Sequence, residues 1–245
     1  MKGTETDEKP PERFPMPTPP APTTPRTPAS LKHQAVEWWV ARHLGAVDDE
    51  QRVAQIASTL FNLTWPLHQM PAAELKLLRL AAAVHDVGRA VDDDNHPVEG
   101  ANMLLDDERL PLTATERRLL AYLTLYHRGK VPAAGADEVL APSDDTERML
   151  DILAVLRAAD ALDSRSLQSP RLVFALVGLG NSGFGKSPAK ASADPELRVT
   201  CYLDTDCEKA KKVYQRRKKF RLLEERFGCR VEIEVAHAEA LQMVA

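Results

Sequence analysis

The sequence predicts a mainly α protein, in which a helical domain is followed by a small α+β domain. Apolar residues recur at helical spacing from Ala29 to about Ser166, and no strand-like alternation interrupts them. After about Ser169, short segments rich in β-branched and aromatic residues begin. We therefore expect three regions, a tail over 1–30, a helical domain over 31–168 and an α+β domain over 169–245.

Composition restricts the class of protein further. The chain has 245 residues, a formal net charge of −4 and 44% hydrophobic residues, which is typical of a soluble globular protein. Its three cysteines show no CxxC or Cys/His finger spacing, which argues against a disulfide-built domain and a zinc ribbon. The apolar runs are shorter than the roughly 18 residues of a membrane span, and the N-terminus has no signal-peptide pattern. No membrane partner is expected, and a reduced, cytoplasmic location fits best.

The first 30 residues hold 9 of the 18 prolines and six threonines, with almost no apolar side chains. Such a stretch cannot bury enough surface to offset the loss of chain entropy on folding. The sequence therefore predicts a disordered tail with partly polyproline-like character.

Six amphipathic helices are predicted in the helical domain, and several have recognisable ends. Thr113 and Glu116 have the capping-box spacing at the start of one helix. Gly88 and Gly129 follow two other helices, and Pro97 occupies a first helical position. Three tryptophans, at positions 38, 39 and 65, are expected to fill the helical core. The predicted helices lie near 31–44, 48–64, 72–87, 97–106, 113–128 and 145–165.

The C-terminal region predicts three strands, near 171–179, 197–204 and 230–236. A single helix over roughly 207–227 is expected between the last two strands, which makes a βαβ-like segment. The glycine-rich segment around Lys186 satisfies the P-loop expression, but Pro188 follows it and the expected helix is missing. A nucleotide-binding loop is the less favoured interpretation of this segment.

The predicted C-terminal helix is strongly basic, since residues 208–230 hold ten Lys or Arg against three Glu. One interpretation is a face that binds a polyanion such as polyphosphate, a nucleotide or RNA. The other, which we favour, is a solvated outer helix face. Nucleic acid is a disfavoured partner because no aromatic side chains are interleaved with the charges.

Three polar residues continue apolar stripes at the ends of predicted helices. His85, His127 and Asp160 each follow apolar residues at i−4 and i−7, so they point into the helical core. A single buried histidine is more often hydrogen-bonded to backbone than bound to metal. Buried carboxylates and imidazoles from three helices, however, are all satisfied by one shared divalent cation. Asp86 and His96 could complete this set.

The motifs HD, HPVEGANML, YHRGK and LRAADALDSR, in that order, resemble the HD superfamily of metal-dependent phosphohydrolases. More narrowly, residues 47–165 look like the helical HD domain that closes exopolyphosphatase and guanosine-pentaphosphate phosphohydrolase proteins. The later segment KKFRLLEERFGCRVEIEV is similar to the C-terminal part of that family. The family's ATPase-fold hydrolytic module is not found in this sequence, so the resemblance supports an HD domain more firmly than polyphosphate hydrolysis.

The resemblance implies a site for one or two divalent ions, such as Mg²⁺, Mn²⁺ or another transition metal. His85 and Asp86 would bind metal, with Asp86 bridging if two ions are present. His96 and His127 would serve the second ion, and Asp160 would close the first site. The family's first metal-binding histidine falls, by spacing, at position 49, which is an aspartate here and can still act as a ligand.

The same resemblance implies the catalytic groups and the reaction. Together with Asp86, the flanking Arg89, Arg128 and Lys130 would serve catalysis, the three cations by holding phosphate oxygens. The implied chemistry is attack of a hydroxide, activated by the ions, on phosphorus.

The function expected from these residues is hydrolysis of a phosphate ester or phosphoanhydride, with a phosphorylated small molecule, a nucleotide or polyphosphate as substrate. The alternative is a non-catalytic, polyanion-binding or regulatory module with a degenerate HD site, which Asp49 in place of a histidine favours. A homodimer is compatible with the sequence, which does not determine the oligomeric state.

Overall fold

The computed structural model describes residues 28–133, 135–164, 167, 170–179, 194–205, 207–215 and 217–239. The protein is mainly α with a small three-stranded sheet near its C-terminal end, as the sequence predicts. Residues 1–27 of the predicted tail and the segment around Lys186 lie outside the described residues. The helices of the first part are α1 (Pro28–Leu44), α2 (Asp48–Leu63), α3 (Trp65–His68), α4 (Ala72–Val84), α5 (His96–Asp106), α6 (Ala114–Tyr126) and α7 (Thr146–Leu162).

Side-chain caps fix the starts of two of these helices. Thr113 accepts a hydrogen bond from the Glu116 backbone N–H, and the Glu116 side chain accepts from the Thr113 N–H, which confirms the predicted capping box. Asp145 accepts from the Arg148 N–H at the start of α7. The helix boundaries therefore follow from local sequence.

Helix α7 lies at the centre of the helical domain. Most of its residues are buried, from Met149 to Leu162, and α2, α4 and α6 all pack against it. A helix that is apolar on nearly all sides belongs in the middle of a bundle. Asp160 therefore reaches the interior from the last turn of the most buried helix.

The expectation that all three tryptophans fill the core is wrong for two of them. Trp39 is buried, whereas Trp38 is 62% exposed and Trp65 is 55% exposed. Neighbouring helical residues point about 100° apart, so Trp38 and Trp39 cannot both face the core. The guanidinium of Arg42 lies 4.8 Å from the centre of the Trp38 ring and partly covers it.

The C-terminal part contains the predicted βαβ-like unit. Its strands are β1 (Arg171–Val177), β2 (Glu196–Leu203) and β3 (Arg230–His237), in the spatial order β1-β2-β3. Strand β2 is antiparallel to β1 and parallel to β3, and Val199 lies opposite Phe174 on one side and Ile233 on the other. The apolar inner face of the sheet is thus continuous across the three strands.

The prediction of a single helix over 207–227 is wrong. The structure has α8 (Cys207–Tyr214), a 3₁₀ turn (Arg217–Lys219) and α9 (Arg221–Phe227). Successive cations at i, i+3 and i+4 repel one another and disfavour a continuous helix there. Tyr214 and Phe220 are both buried, although residues six apart lie about 120° apart around an unbroken helix. The interruption therefore lets both side chains reach the core.

The α+β unit is attached to α7. The Tyr214 hydroxyl donates to the Leu162 carbonyl at 2.9 Å, and the Arg226 Nε donates to the Asp151 carboxylate at 2.6 Å. These bonds tie α8 and α9 to the helix that carries Asp160. Within the residues that the structure describes, no helix is long and apolar enough to cross a membrane.

Candidate metal centre

Two of the candidate ligands lie directly after helices, where backbone carbonyls lack helical partners. His85 follows α4 and His127 follows α6. Each histidine turns back so that its Nδ1–H donates to the carbonyl three residues earlier, Ala82 at 2.8 Å and Thr124 at 2.6 Å. A carbonyl oxygen can only accept, so Nδ1 carries the proton in both rings. The Nε2 atoms are therefore directed away from the backbone.

His96 also holds its proton on Nδ1, although it lies at the start of a helix and not after the end of one. It is the first residue of α5, and its Nδ1–H donates to the Asp93 carbonyl at 2.7 Å. In metal sites, a hydrogen bond of this kind orients the imidazole and fixes its tautomer.

Three possible ligand atoms converge between α5, α6 and the 3₁₀ turn at Val87–Ala90. The Asp86 Oδ1 lies 3.0 Å from His96 Nε2 and 3.4 Å from His127 Nε2, and the two Nε2 atoms are 3.3 Å apart. All three side chains are buried, and each offers one ligand atom within 4.8 Å of the others. Because the Nδ1 atoms of His96 and His127 hold the protons donated to backbone carbonyls, the Nε2 atoms are the ones that can offer lone pairs to a shared cation. This donor set fits a divalent cation.

Two glycines allow this close approach. A Cβ on Gly88 would lie 2.1 Å from the His96 carbonyl oxygen and 2.4 Å from the Gly100 nitrogen. A Cβ on Gly100 would lie 2.9 Å from a methyl group of Thr124. The 3₁₀ turn and α5 therefore pack backbone to backbone at the level of the three ligands, and the Thr124 side chain of α6 packs against Gly100.

Asp160 and His85 form the other half of the cluster. His85 Nε2 lies 3.7 Å from Asp86 Oδ2 and 3.7 Å from Asp160 Oδ1. Two guanidinium groups enter the same half. Arg89 Nε donates to Asp86 Oδ2 at 2.9 Å, and Arg128 Nη2 donates to Asp160 Oδ1 at 3.3 Å.

The electrostatics of the cluster favour ionised carboxylates. Burial opposes charge on Asp86, but the close contacts with the polar side chains of His127 and His96 outweigh burial and lower the pKa of this carboxyl. The pKa of Asp160 is lowered too, because the hydrogen bond from His85 outweighs the effect of burial. Burial also disfavours charge on His85, yet Asp160 and Asp86 raise its pKa to about 9. Burial lowers the pKa of His127 and keeps this imidazole neutral, as a metal ligand must be.

The remaining candidates from the sequence lie around the rim. Asp49 is half-buried, lies 3.8 Å from Arg52 Nη2, and lines a groove of about 550 Å³ together with Arg89 and Asp93. Lys130 is exposed. The structure thus brings five candidates together, His85, Asp86, His96, His127 and Asp160, and places Arg89 and Arg128 in contact with them.

Sequence reasoning missed two arginines that hold this region in place. Arg52 Nε donates at 2.8 Å to Oδ1 of Asp163, which directly follows the end of α7 and lies three residues after Asp160. Arg157 Nη2 donates to the Gly129 carbonyl at 2.7 Å and so fixes the turn after His127. Because Asp163 lies only three residues after Asp160, the sequence could have indicated that its carboxylate lies near the cluster. Nothing local in the sequence indicates the partner of Arg157.

Comparison with known families finds a match that covers most of the helical domain. The family model described as Ppx/GppA phosphatase, domain III, matches residues 35–174, which is more than half of the chain. The chain therefore belongs to the Ppx/GppA phosphatase family. No curated protein matches the chain significantly.

Proposed function

We propose that the helical domain is an HD-type, metal-dependent phosphohydrolase that acts on a phosphate ester or phosphoanhydride. The observation that carries this proposal is the convergence of Asp86, His96 and His127 in one buried position. The match to a phosphatase family supports hydrolysis as the class of reaction. Polyphosphate and nucleotides are the substrates that we consider first.

Each residue has a chemical role in this proposal. A divalent ion held by Asp86, His96 and His127 would supply Lewis-acid chemistry, lowering the pKa of a water molecule and neutralising phosphate charge. Arg128 is exposed and lies at the edge of the cluster, where it can donate to phosphate oxygens. Arg89 lines the neighbouring groove and is held in place by Asp86 and Asp93.

The basic C-terminal segment supports the alternative of a polyanion-binding module less well. Several of its cations are already paired with acidic side chains. Lys211 pairs with Glu208, Arg221 with Glu225, and Arg230 with Glu232, each at 2.5 to 2.6 Å. Arg226 pairs with Asp151 and Glu147 on α7. Such pairing reduces the positive charge that is available to a polyanion.

Release of inorganic phosphate by the purified full chain tests the proposal. The chain is stripped of metal, reloaded with Mn²⁺, Mg²⁺ or Co²⁺, and given phosphomonoesters, phosphodiesters, nucleotides and polyphosphate. We expect metal-dependent release of phosphate from at least one class, and loss of release in Asp86→Asn. His237→Asn, at the exposed end of β3, is the control and should retain full activity. Undiminished release by Asp86→Asn, or none by the wild type under any condition, contradicts the proposal.

A further inference from the structure

A groove on the surface of α1 takes no part in the proposed hydrolysis. Its larger part, of about 620 Å³, lies between α1 and α5, and its smaller part, of about 230 Å³, lies between α1 and the loop that follows α5. Trp39, His43 and Arg109 line both parts, which are therefore continuous. On α5 the lining residues are at positions 99, 102, 103 and 106, so they share one face of that helix.

An exposed apolar stripe leads from the start of α1 to this groove. Leu31 is 50% exposed and Trp38 is 62% exposed. The two residues are seven positions apart and therefore lie on the same face of the helix, with Ala35 between them. Pro111 is exposed and lines the smaller part of the groove together with Trp38. Exposed apolar side chains that cluster in this way mark an interaction surface.

The charged residues of the groove are mainly acidic. Asp107 is paired with Arg109, and the guanidinium of Arg42 lies over the Trp38 ring. With histidine counted as neutral, the lining has four carboxylates and two guanidinium groups, a net charge of −2. The four acidic residues are Glu99, Asp106, Asp107 and Glu108. A groove with tryptophans and an excess of carboxylates is complementary to a basic, apolar ligand and repels a polyanion.

A segment of the chain's own N-terminal region has this composition. Residues 13–26 contain six prolines, two arginines and no acidic residue, in the sequence RFPMPTPPAPTTPR. Proline fixes φ near the value of a polyproline II helix, so little conformational entropy is lost when such a segment binds. Proline-rich segments bind grooves that are lined by aromatic side chains.

This segment also has the length and the position that the groove requires. Only Thr27 separates it from Pro28, where α1 begins. From Pro28 to His43, α1 rises by about 23 Å, whereas fourteen residues of polyproline II span about 43 Å. A segment that turns back at Pro28 can therefore follow the apolar stripe and reach the whole groove.

We propose that residues 13–26 bind, within the same chain, in the groove between α1 and α5. The prolines pack against the stripe that ends at Trp38, and Arg13 lies within reach of the carboxylates on α5. Tethering gives the segment an effective concentration of roughly 1 mM, so weak intrinsic binding is sufficient. This intramolecular interaction goes beyond the proposed hydrolysis and does not depend on it.

Fluorine NMR of the full chain labelled with 5-fluorotryptophan tests the proposal. Trp→Phe variants assign the signals, and a soluble paramagnetic agent reports the exposure of each ring. The tail variant carries Pro17→Ser, Pro19→Ser, Pro20→Ser and Pro22→Ser, and circular dichroism checks that it is folded. We expect the agent to broaden the Trp38 signal at least twofold more in the tail variant than in the wild type. Trp65, which is 55% exposed, is the internal control and should respond alike in both proteins.

Equal broadening of the Trp38 signal in the two proteins would overturn the proposal. The measurement is repeated over a wide range of chain concentration, because a second copy of the chain could cover the same ring. Protection of Trp38 that persists on dilution supports binding within one chain. Protection that disappears on dilution would show binding between chains and would overturn the proposal.

A synthetic peptide of residues 13–26, titrated into the tail variant, tests which residues form the binding site. We expect a Kd below about 1 mM, the effective concentration of the tethered segment, and binding at least fivefold weaker when Trp38→Ala is added than when Trp65→Ala is added. Arg13→Glu in the peptide should weaken binding at least threefold at low salt and less at high salt. Absence of binding below about 1 mM, or equal Kd values for the two tryptophan variants, would overturn the assignment of the groove.

Discussion

Gly88 lies against the backbone of His96 so closely that a Cβ on Gly88 would come within 2.1 Å of the His96 carbonyl oxygen. Asp86 lies two residues before Gly88, and His96 begins α5. This contact therefore sets the distance between the carboxylate and the first imidazole of the candidate centre. Overpacking at this position must displace backbone, which is costlier than moving a flexible side chain.

Gly88→Ala is expected to disrupt both stability and metal binding. The added methyl group should lower the free energy of unfolding by about 2 kcal/mol or more, since overpacking in a tight core typically costs about 1–3 kcal/mol. Separation of Asp86 from His96 should also weaken Mn²⁺ binding by at least tenfold. Denaturant unfolding and calorimetric titration measure the two effects.

Gly228→Ala is the control for this change. Gly228 ends α9 with φ of +58°, and a Cβ there would meet nothing within 4 Å. Its substitution should cost only the penalty for a left-handed alanine, about 1–2 kcal/mol, and leave Mn²⁺ binding unchanged. Equal Mn²⁺ affinities in the two variants would show that the Gly88 contact does not position the ligands.

Divalent metal should raise the melting temperature of the metal-stripped chain. An ion at about 100 times its Kd stabilises the folded state by about 2.7 kcal/mol, provided that the unfolded chain does not bind it. For a chain of this size, that corresponds to roughly 5–10 °C. His127→Asn should abolish the shift, because it removes one of the three converging atoms, whereas His237→Asn should retain it. A shift of the same size in His127→Asn would place the stabilising ion elsewhere.

His68 should make stability fall at acidic pH. Its Nδ1 accepts from the Met70 N–H at 2.9 Å, while its Nε2–H donates to the Phe61 carbonyl at 2.9 Å, so the folded state holds the neutral ring. Burial lowers the pKa of His68 below the ordinary value of 6.5, although the Phe61 carbonyl and Asp151 act in the opposite direction. The unfolded chain therefore binds a proton more readily, and stability present above pH 6.5 is lost as the pH falls.

His68→Asn isolates this effect, since the asparagine oxygen can accept from Met70 and does not titrate. Thermal unfolding between pH 7.5 and 5 should show a smaller loss of stability in His68→Asn than in the wild type. The quantity compared is the change of stability with pH in each protein. A constant difference in stability between the two proteins therefore does not affect the comparison. Identical slopes would mean that His68 titrates alike in the folded and unfolded chains.

Tyr214→Phe should loosen the attachment of the α+β unit to α7. The variant removes the hydroxyl that donates to the Leu162 carbonyl, and an unsatisfied buried carbonyl costs about 1–3 kcal/mol. Tyr202→Phe is the matched control, because Tyr202 is only half-buried on β2, and it should change stability by less than about 0.5 kcal/mol. Equal effects of the two substitutions in denaturant unfolding would contradict a specific role for the Tyr214 bond.

The helices and strands could largely be predicted from the sequence. Apolar periodicity, the Thr113 capping box and alternation in the last strand are local signals, and the structure confirms them. The predictions failed where tertiary packing overrides a local pattern. The helix after Cys207 is interrupted so that both Tyr214 and Phe220 can be buried, and Trp38 faces outward because Trp39 takes the core position.

The sequence alone determined which residues could form a metal centre, because stripe positions and helix ends direct His85, His127 and Asp160 inward. Only the tertiary structure decided which of them meet. Asp86, His96 and His127 converge because Gly88 and Gly100 let backbones touch, and Arg89 and Arg128 take the oxygens of the other half. Periodicity depends on neighbours along the chain, whereas these contacts depend on how helices far apart in sequence pack against one another.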